Sequence, residues 1–319
     1  MVTLSDVQSA QSLLRNVAVR TPLVEWTSPT ARHQLFLKLE NLQPIGAFKL
    51  RGAYNKIASL SDDDRRRGVI SYSSGNHAQG VAYAARALGV RAIIVMPANA
   101  PKNKLDSTAA LGAEIITVGP SSEERRLRAE EIAAERGYII VPPYNDEKII
   151  AGQGTVGLEI LEDLPDVETV LSPVGGGGLI SGVAAAMKLS NPKINVIGVE
   201  PELAGDARAS LKSGHIVSFS AEDVTRTIAD GLRTQSIGKI NFEHIRTYVD
   251  DIVAVKEDEI REASRALSTN PKTVAEPSGA TSVAAFLFHF SELPQTRNNV
   301  AIISGGNIDP NFLEEIRDR

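Results

Sequence analysis

The chain has 319 residues, 42% hydrophobic and 23% charged, enough for one large or two modest globular domains with cores of their own. Its net charge of -5 leaves no basic field for a polyanion, and the basic run Arg65-Arg66-Arg67 directly follows Asp62-Asp63-Asp64, so nucleic acid is not an expected partner. With 0 cysteines there are no disulfides, thiolate metal sites, iron–sulfur clusters or cysteine nucleophile.

The first residues, Met1 to Asp6, lack a basic segment followed by an apolar core, and nowhere do about 18 apolar residues run together; a cytoplasmic protein without membrane spans is expected. Residues 5–17 place Val7, Leu13, Leu14 and Val17 in a helical setting, with Ser5 and Asp6 available to cap its start. The segment Leu35 to Leu39 alternates apolar and polar as a strand does, and a helix is expected after Arg51, through Tyr54 and Ile57.

From residue 68 the pattern repeats as strand, loop, helix. Strands are expected at Gly68 to Tyr72, Ala92 to Met96, Glu114 to Val118 and Tyr138 to Val141, with helices at Ala78 to Leu88, near 101–111 and over about 122–136. A second block has helices at Gly154 to Leu164, Leu179 to Leu189, 256–269 and 278–290, and strands at Glu168 to Ser172, Asn195 to Val199, Asp251 to Val255 and Asn299 to Ile303. Short apolar β-rich runs alternating with helices predict right-handed βαβ units around buried parallel sheets. The expected architecture is α/β, two open parallel-sheet αβα domains, 68–145 the smaller and 1–67 with 146–319 the larger, with the site in the cleft between them.

Three stretches carry chemistry. In Ala47-Phe48-Lys49-Leu50-Arg51, apolar neighbours desolvate the Lys49 ammonium, lower its pKa and make a free amine available for a Schiff base; read alone, Lys49 is equally a snorkelling surface lysine. Gly175-Gly176-Gly177-Gly178 lies between an apolar strand and a helix of small residues, so its N–H groups can converge on a phosphate without Cβ interference; a plain flexible turn is the alternative. The run matches neither the dinucleotide nor the Walker pattern. Ser73-Ser74-Gly75-Asn76-His77 is a second strand-to-helix loop suited to an anion, in which Ser73 and Ser74 also read as an ordinary N-cap pair. No second histidine or carboxylate stands at ligand spacing from His77 to make zinc binding credible.

In this order and separation the three stretches resemble the fold-type II pyridoxal-phosphate enzymes, whose fold is of the tryptophan synthase β type, and within them the serine/threonine dehydratase and serine racemase group. The resemblance runs from Thr21-Pro22-Leu23 to Ser304-Gly305-Gly306-Asn307. It implies that Lys49 carries pyridoxal 5'-phosphate and serves as base on its own face of the substrate, with Phe48 packed nearby and Ser74 on the opposite face. Gly175, Gly176, Gly177 and Gly178 would hold the phosphate, Ser304 would face the pyridine nitrogen, and Asn76 the phenolic oxygen. Ser73, Asn76 and His77 would hold the substrate carboxylate, and Arg125 would close over the substrate, although Glu123 to Arg128 reads equally as a solvated helix face. The larger domain would be the cofactor-binding one.

Glu200, Ala204 and Asp206 supply two carboxylates and a carbonyl, hard oxygen ligands of the kind magnesium, manganese or calcium prefers, and resemble the cation site of serine racemases and hydroxyaspartate dehydratases. The implied activity is removal of water from L-serine or L-threonine, with serine racemisation as a companion activity and a homodimer as the family's assembly. With the chain ending soon after Ser304, an appended effector-binding domain is not expected. Ala47, where many of these enzymes have serine, keeps threo-3-hydroxyaspartate open as a substrate. Cysteine-synthase-type β-replacement and a non-catalytic amino-acid sensor using the same cleft remain rivals.

Overall fold

The structure, a computed structural model, describes residues 1–27, 33–73, 75–100, 102–119 and 122–318. It opens with α1 (Leu4–Leu14), β1 (Leu23–Trp26), β2 (Gln34–Leu39), α2 (Lys49–Ala58) and α3 (Asp62–Arg67). A regular alternation follows: β3 (Val69–Tyr72), α4 (Asn76–Ala87), β4 (Ala92–Pro97), α5 (Lys102–Ala110), β5 (Glu114–Val118), α6 (Ser122–Arg136) and β6 (Ile139–Ile140). The next elements are α7 (Glu147–Asp163), β7 (Thr169–Pro173), α8 (Gly178–Ser190), β8 (Asn195–Pro201), α9 (Asp206–Ser213), α10 (Ala221–Thr225) and α11 (Lys239–Tyr248). The chain finishes with β9 (Asp251–Val255), α12 (Glu257–Leu267), α13 (Pro277–Phe288), β10 (Asn298–Ile303) and α14 (Pro310–Arg317).

The strands form a six-stranded sheet, β1-β2-β10-β7-β8-β9, and a four-stranded sheet, β5-β4-β3-β6. All pairings in both are parallel, as expected, except that the edge strand β1 pairs antiparallel with β2. Alternation along β10 shows why both faces are covered: Val300 and Ile302 pack among α7, α8 and α11, while Ala301 and Ile303 pack among α12 and α13. The four-stranded sheet repeats this, with Ile94 and Met96 facing α2 and α4, and Ile93 and Val95 facing α6. Although Ala53 and Ile57 of α2 precede that sheet in sequence, they belong to its apolar cluster, so α2 connects the two sheets.

Several boundaries differ from the periodicity. Thr3, not Ser5, caps α1, through a reciprocal bond with Asp6. Helix α7 begins at Glu147, capped by Asp146, rather than at Gly154. Glycines at 152, 154 and 157 dilute its pattern, yet they are where α2 and α8 press against it. The sequence reading also passed over α3, α9, α11 and α14, whose apolar stripes are narrow or whose faces are largely charged. Among the described residues no helix is long and apolar enough to cross a membrane.

Candidate active site

The loops singled out in the sequence lie at the C-terminal ends of parallel strands: Ser73, Gly75 and Asn76 after β3, Gly175 to Gly178 after β7, and Ser304 after β10. Side chains in a βαβ sheet converge there, where helix N-termini also point, and ligands of open α/β sheets bind there. Together with Phe48 and Lys49 they line one cavity of about 480 Å³, roomy enough for a cofactor-sized molecule.

Lys49 is placed by backbone. The Phe48 N–H donates to the Ser304 carbonyl at 3.1 Å, and Ala47 bridges Gly305, so the start of α2 is fastened to the end of β10. The Lys49 amine donates to the Pro143 carbonyl at 2.8 Å and lies 5.2 Å from the Phe48 ring centroid. Burial with no carboxylate beside it pulls the ammonium down to about 8. Such an amine is within reach of deprotonation near neutral pH, which a nucleophile or base requires.

Two helix N-termini face the cavity without side-chain caps. Helix α4 has Gly75 at its N-cap and α8 has Gly177, and neither receives a capping bond from a side chain, so the N-cap reading of Ser73 is not realised. Their first-turn N–H groups are therefore left for a ligand. Gly177 adopts φ +93, which a side chain would strain, and a Cβ on Gly176 would be driven into the ring of Tyr144. The space between these amides and Tyr144 is thus kept open by the absence of side chains, as a phosphate cradle requires. Gly176→Ala is expected to weaken pyridoxal phosphate binding about 10- to 100-fold, the usual range for overpacking, measured by titrating the apo chain and following visible absorbance.

The remaining expected residues are less uniform. Ser304 is buried, lines the cavity and keeps its hydroxyl neutral. The His77 ring nitrogen Nε2 donates to the Val141 carbonyl at 3.1 Å, leaving Nδ1 as a buried acceptor without a partner. Burial, the nearby Lys49 charge and only one opposing hydrogen bond push the imidazole down to about 3. The His77 ring accordingly has no proton to offer a carboxylate, and an anion at this loop would be held by backbone N–H groups. Arg125 lines the cavity half-buried, with its guanidinium lowered by burial. Ser74 lies outside the described residues. Ala47 is buried, packs with Ile45 and Leu50 in an apolar cluster, and is not among the residues lining the cavity.

Glu200 and Asp206 lie close enough for the Asp206 charge to act on Glu200, and none of Glu200, Ala204 and Asp206 is among the residues lining the cavity. The Glu200 carboxylate accepts from the N–H groups of Ala207 at 3.1 Å and Arg208 at 2.9 Å. Burial raises Glu200 to about 8 and Asp206 to about 7, and Asp206 Oδ2 is buried without a hydrogen-bond partner. Two crowded acids and an orphaned oxygen are what a hard cation would relieve. Among the described residues no group of three or more His, Cys, Asp or Glu side chains forms a metal site.

Sequence reasoning missed Glu276, Tyr144, Asp230 and Tyr72, all of which line the cavity. Only Glu276 carried a local signal, a carboxylate directly before the proline that starts α13. It also missed the buried ion cluster around Arg51. There Arg51 donates to Glu40 and Glu159, and Lys38 donates to Glu159, with every member buried.

The family described as pyridoxal-phosphate dependent enzyme matches residues 14–305. An L-threonine ammonia-lyase of Thermotoga maritima is 48% identical over 319 residues, covering 99% of this chain and 78% of its own length. Among solved structures, a threonine deaminase of T.th. is 43% identical with a TM-score of 0.90, covering 96% of this chain and 99% of that one. Maize serine racemase is 38% identical with a TM-score of 0.93, covering 98% of this chain and 96% of its own. The uncapped α8 cradle, the desolvated Lys49 amine and the Ser304 hydroxyl agree with that match in one cavity: the chain belongs to the pyridoxal-phosphate dependent enzymes.

Proposed function

We propose that the chain is an ammonia-lyase that removes water from L-threonine and L-serine, releasing a 2-oxo acid and ammonia, with serine racemisation as a companion activity. The observation that carries this reading is the placement of the Lys49 amine in one cavity with two uncapped helix N-termini, one for each anion. Pyridoxal phosphate, when bound, supplies an electron sink that acidifies the substrate Cα–H and lets the β-hydroxyl depart. Gly175 to Gly178 and the start of α8 would hold its phosphate, Asn76 would meet its phenolic oxygen, and Phe48 would lie beside its ring.

Lys49 would hold the cofactor through its amine and, once free, take the Cα proton on its own face. Ser304 would leave the ring nitrogen without a carboxylate partner, favouring early loss of the β-hydroxyl over a persistent carbanion. Backbone N–H groups of Asn76 and His77, with Ser73, would hold the substrate carboxylate, and Arg125 would close over it. Ser74, whose neighbours Ser73 and Gly75 line the cavity, would handle the Cα proton on the opposite face. Glu200, Ala204 and Asp206 would bind magnesium, manganese or calcium as a structural ion. Residues 68–145 would act as the small domain against a large one of 1–67 and 146–319, and the working unit would be a homodimer.

Keto-acid release from L-threonine, L-serine and threo-3-hydroxyaspartate, assayed side by side, tests the reaction; negligible turnover of all three would remove it. Ser74→Ala is expected to abolish the appearance of D-serine in a chiral assay while elimination persists.

A further inference from the structure

Asn76 sits in a chain of side chains whose donor and acceptor roles are fixed from one end. The Ile45 carbonyl can only accept, so the atom of Asn307 at 2.9 Å from it is the amide nitrogen. The second N–H of that nitrogen reaches Asn76 Oδ1 at 2.7 Å, which turns the Asn76 nitrogen the other way, to Glu276 Oε1 at 2.6 Å. Asn76 belongs to α4 over the four-stranded sheet and Glu276 precedes α13 on the six-stranded sheet, so this bond crosses the cleft. It passes over Gly305, where an added Cβ would collide with Glu276 Oε1 and come within 3.1 Å of Asn76 Nδ2. One N–H of Asn76 is left unassigned, on a residue that lines the cavity.

We propose that Glu276 is a positioning residue for the cofactor: by accepting from Asn76 it holds that amide in the one orientation that presents its second N–H to the phenolic oxygen of pyridoxal phosphate. The inference rests on the cofactor assignment above. Glu276 is buried, and burial with Asp230 nearby, opposed by Asn76 and Lys104, raises its carboxyl to about 7. Charged or neutral, its Oε1 still accepts, so the task does not depend on ionisation.

The experiment compares wild type, Glu276→Ala and Glu276→Gln, reading the visible absorbance band and the affinity of the apo chain for pyridoxal phosphate. Glu276→Ala is expected to shift the band and weaken binding about tenfold or more, as loss of a buried hydrogen bond with its donor left unsatisfied does, whereas Glu276→Gln, which keeps an acceptor oxygen, restores both. An unchanged band and affinity in Glu276→Ala would overturn the proposal. A wild type with no borohydride-sensitive band would instead overturn the cofactor assignment, a separate failure. If circular dichroism shows Glu276→Ala unfolded, Glu276→Met decides: it keeps most of the side-chain volume but removes the oxygen that accepts from Asn76, so the same band shift supports the proposal and a wild-type band refutes it.

Discussion

Lys49→Ala is expected to erase the borohydride-sensitive visible band of the reconstituted protein and to lower threonine turnover by on the order of 10⁴-fold, because in the proposed reaction one side chain would both hold the cofactor and move the Cα proton. The apo form tests the same residue without turnover. With the Lys49 ammonium lowered from 10.5 to about 8 by burial, the neutral amine grows as pH rises through about 8. Capture of pyridoxal phosphate by the apo chain should therefore accelerate to a plateau just above that pH, well below where an ordinary lysine would reach it. The sign for stability follows from the depressed value. The cost of burying a charged amine is present in full below about 8 and is lost between 8 and 10.5, so apo Lys49→Met should gain thermal stability over wild type at pH 7 but not at pH 11. A capture profile still rising beyond pH 10 would mean that the amine is solvated.

Arg51→Met should produce the largest loss of stability of any single exchange named here. The Arg51 guanidinium, 1% exposed, donates to Glu40 at 2.8 and 2.7 Å and to Glu159 at 2.7 and 2.9 Å. Burial alone would lower its pKa, but the two carboxylates outweigh that and leave it raised; burial would likewise raise Glu40, and Arg51, with Lys38 and Thr21, more than reverses it. Removing the shared cation strands the buried Glu40 carboxylate and leaves Glu159 with Lys38 alone, which costs about 3–5 kcal/mol and should lower Tm by on the order of 10 °C in a calorimetric scan. Arg51→Lys is not expected to rescue, since a point charge cannot make the paired contacts of a planar fork. Because Arg51 stands two positions after Lys49 at the head of α2, the same variant should also loosen the active-site amine. A melt within about 2 °C of wild type would show the cluster to be neutral for stability.

Much of the molecule was legible in the residues themselves. Strands with continuous apolar runs, such as Ala92 to Met96, and loops that must be glycine, such as Gly175 to Gly178, are dictated by short-range sterics and burial, so the two sheets and the open glycine loop could be read directly. An amine hemmed in by Phe48 and Leu50 announces a lowered pKa for the same local reason. The antiparallel edge at β1, the early start of α7 and the Glu276–Asn76–Asn307 chain were decided only by tertiary structure. The edge exists because β2 pairs with β10 from the far end of the sequence, α7 is pressed against its neighbours at glycines, and Asn76 meets partners 200 and 231 positions away. No local pattern encodes which distant carboxylate will meet which amide. The same holds for the His77 ring: that it is a histidine was plain, but only the Val141 carbonyl, brought against it by folding, assigns its proton to Nε2.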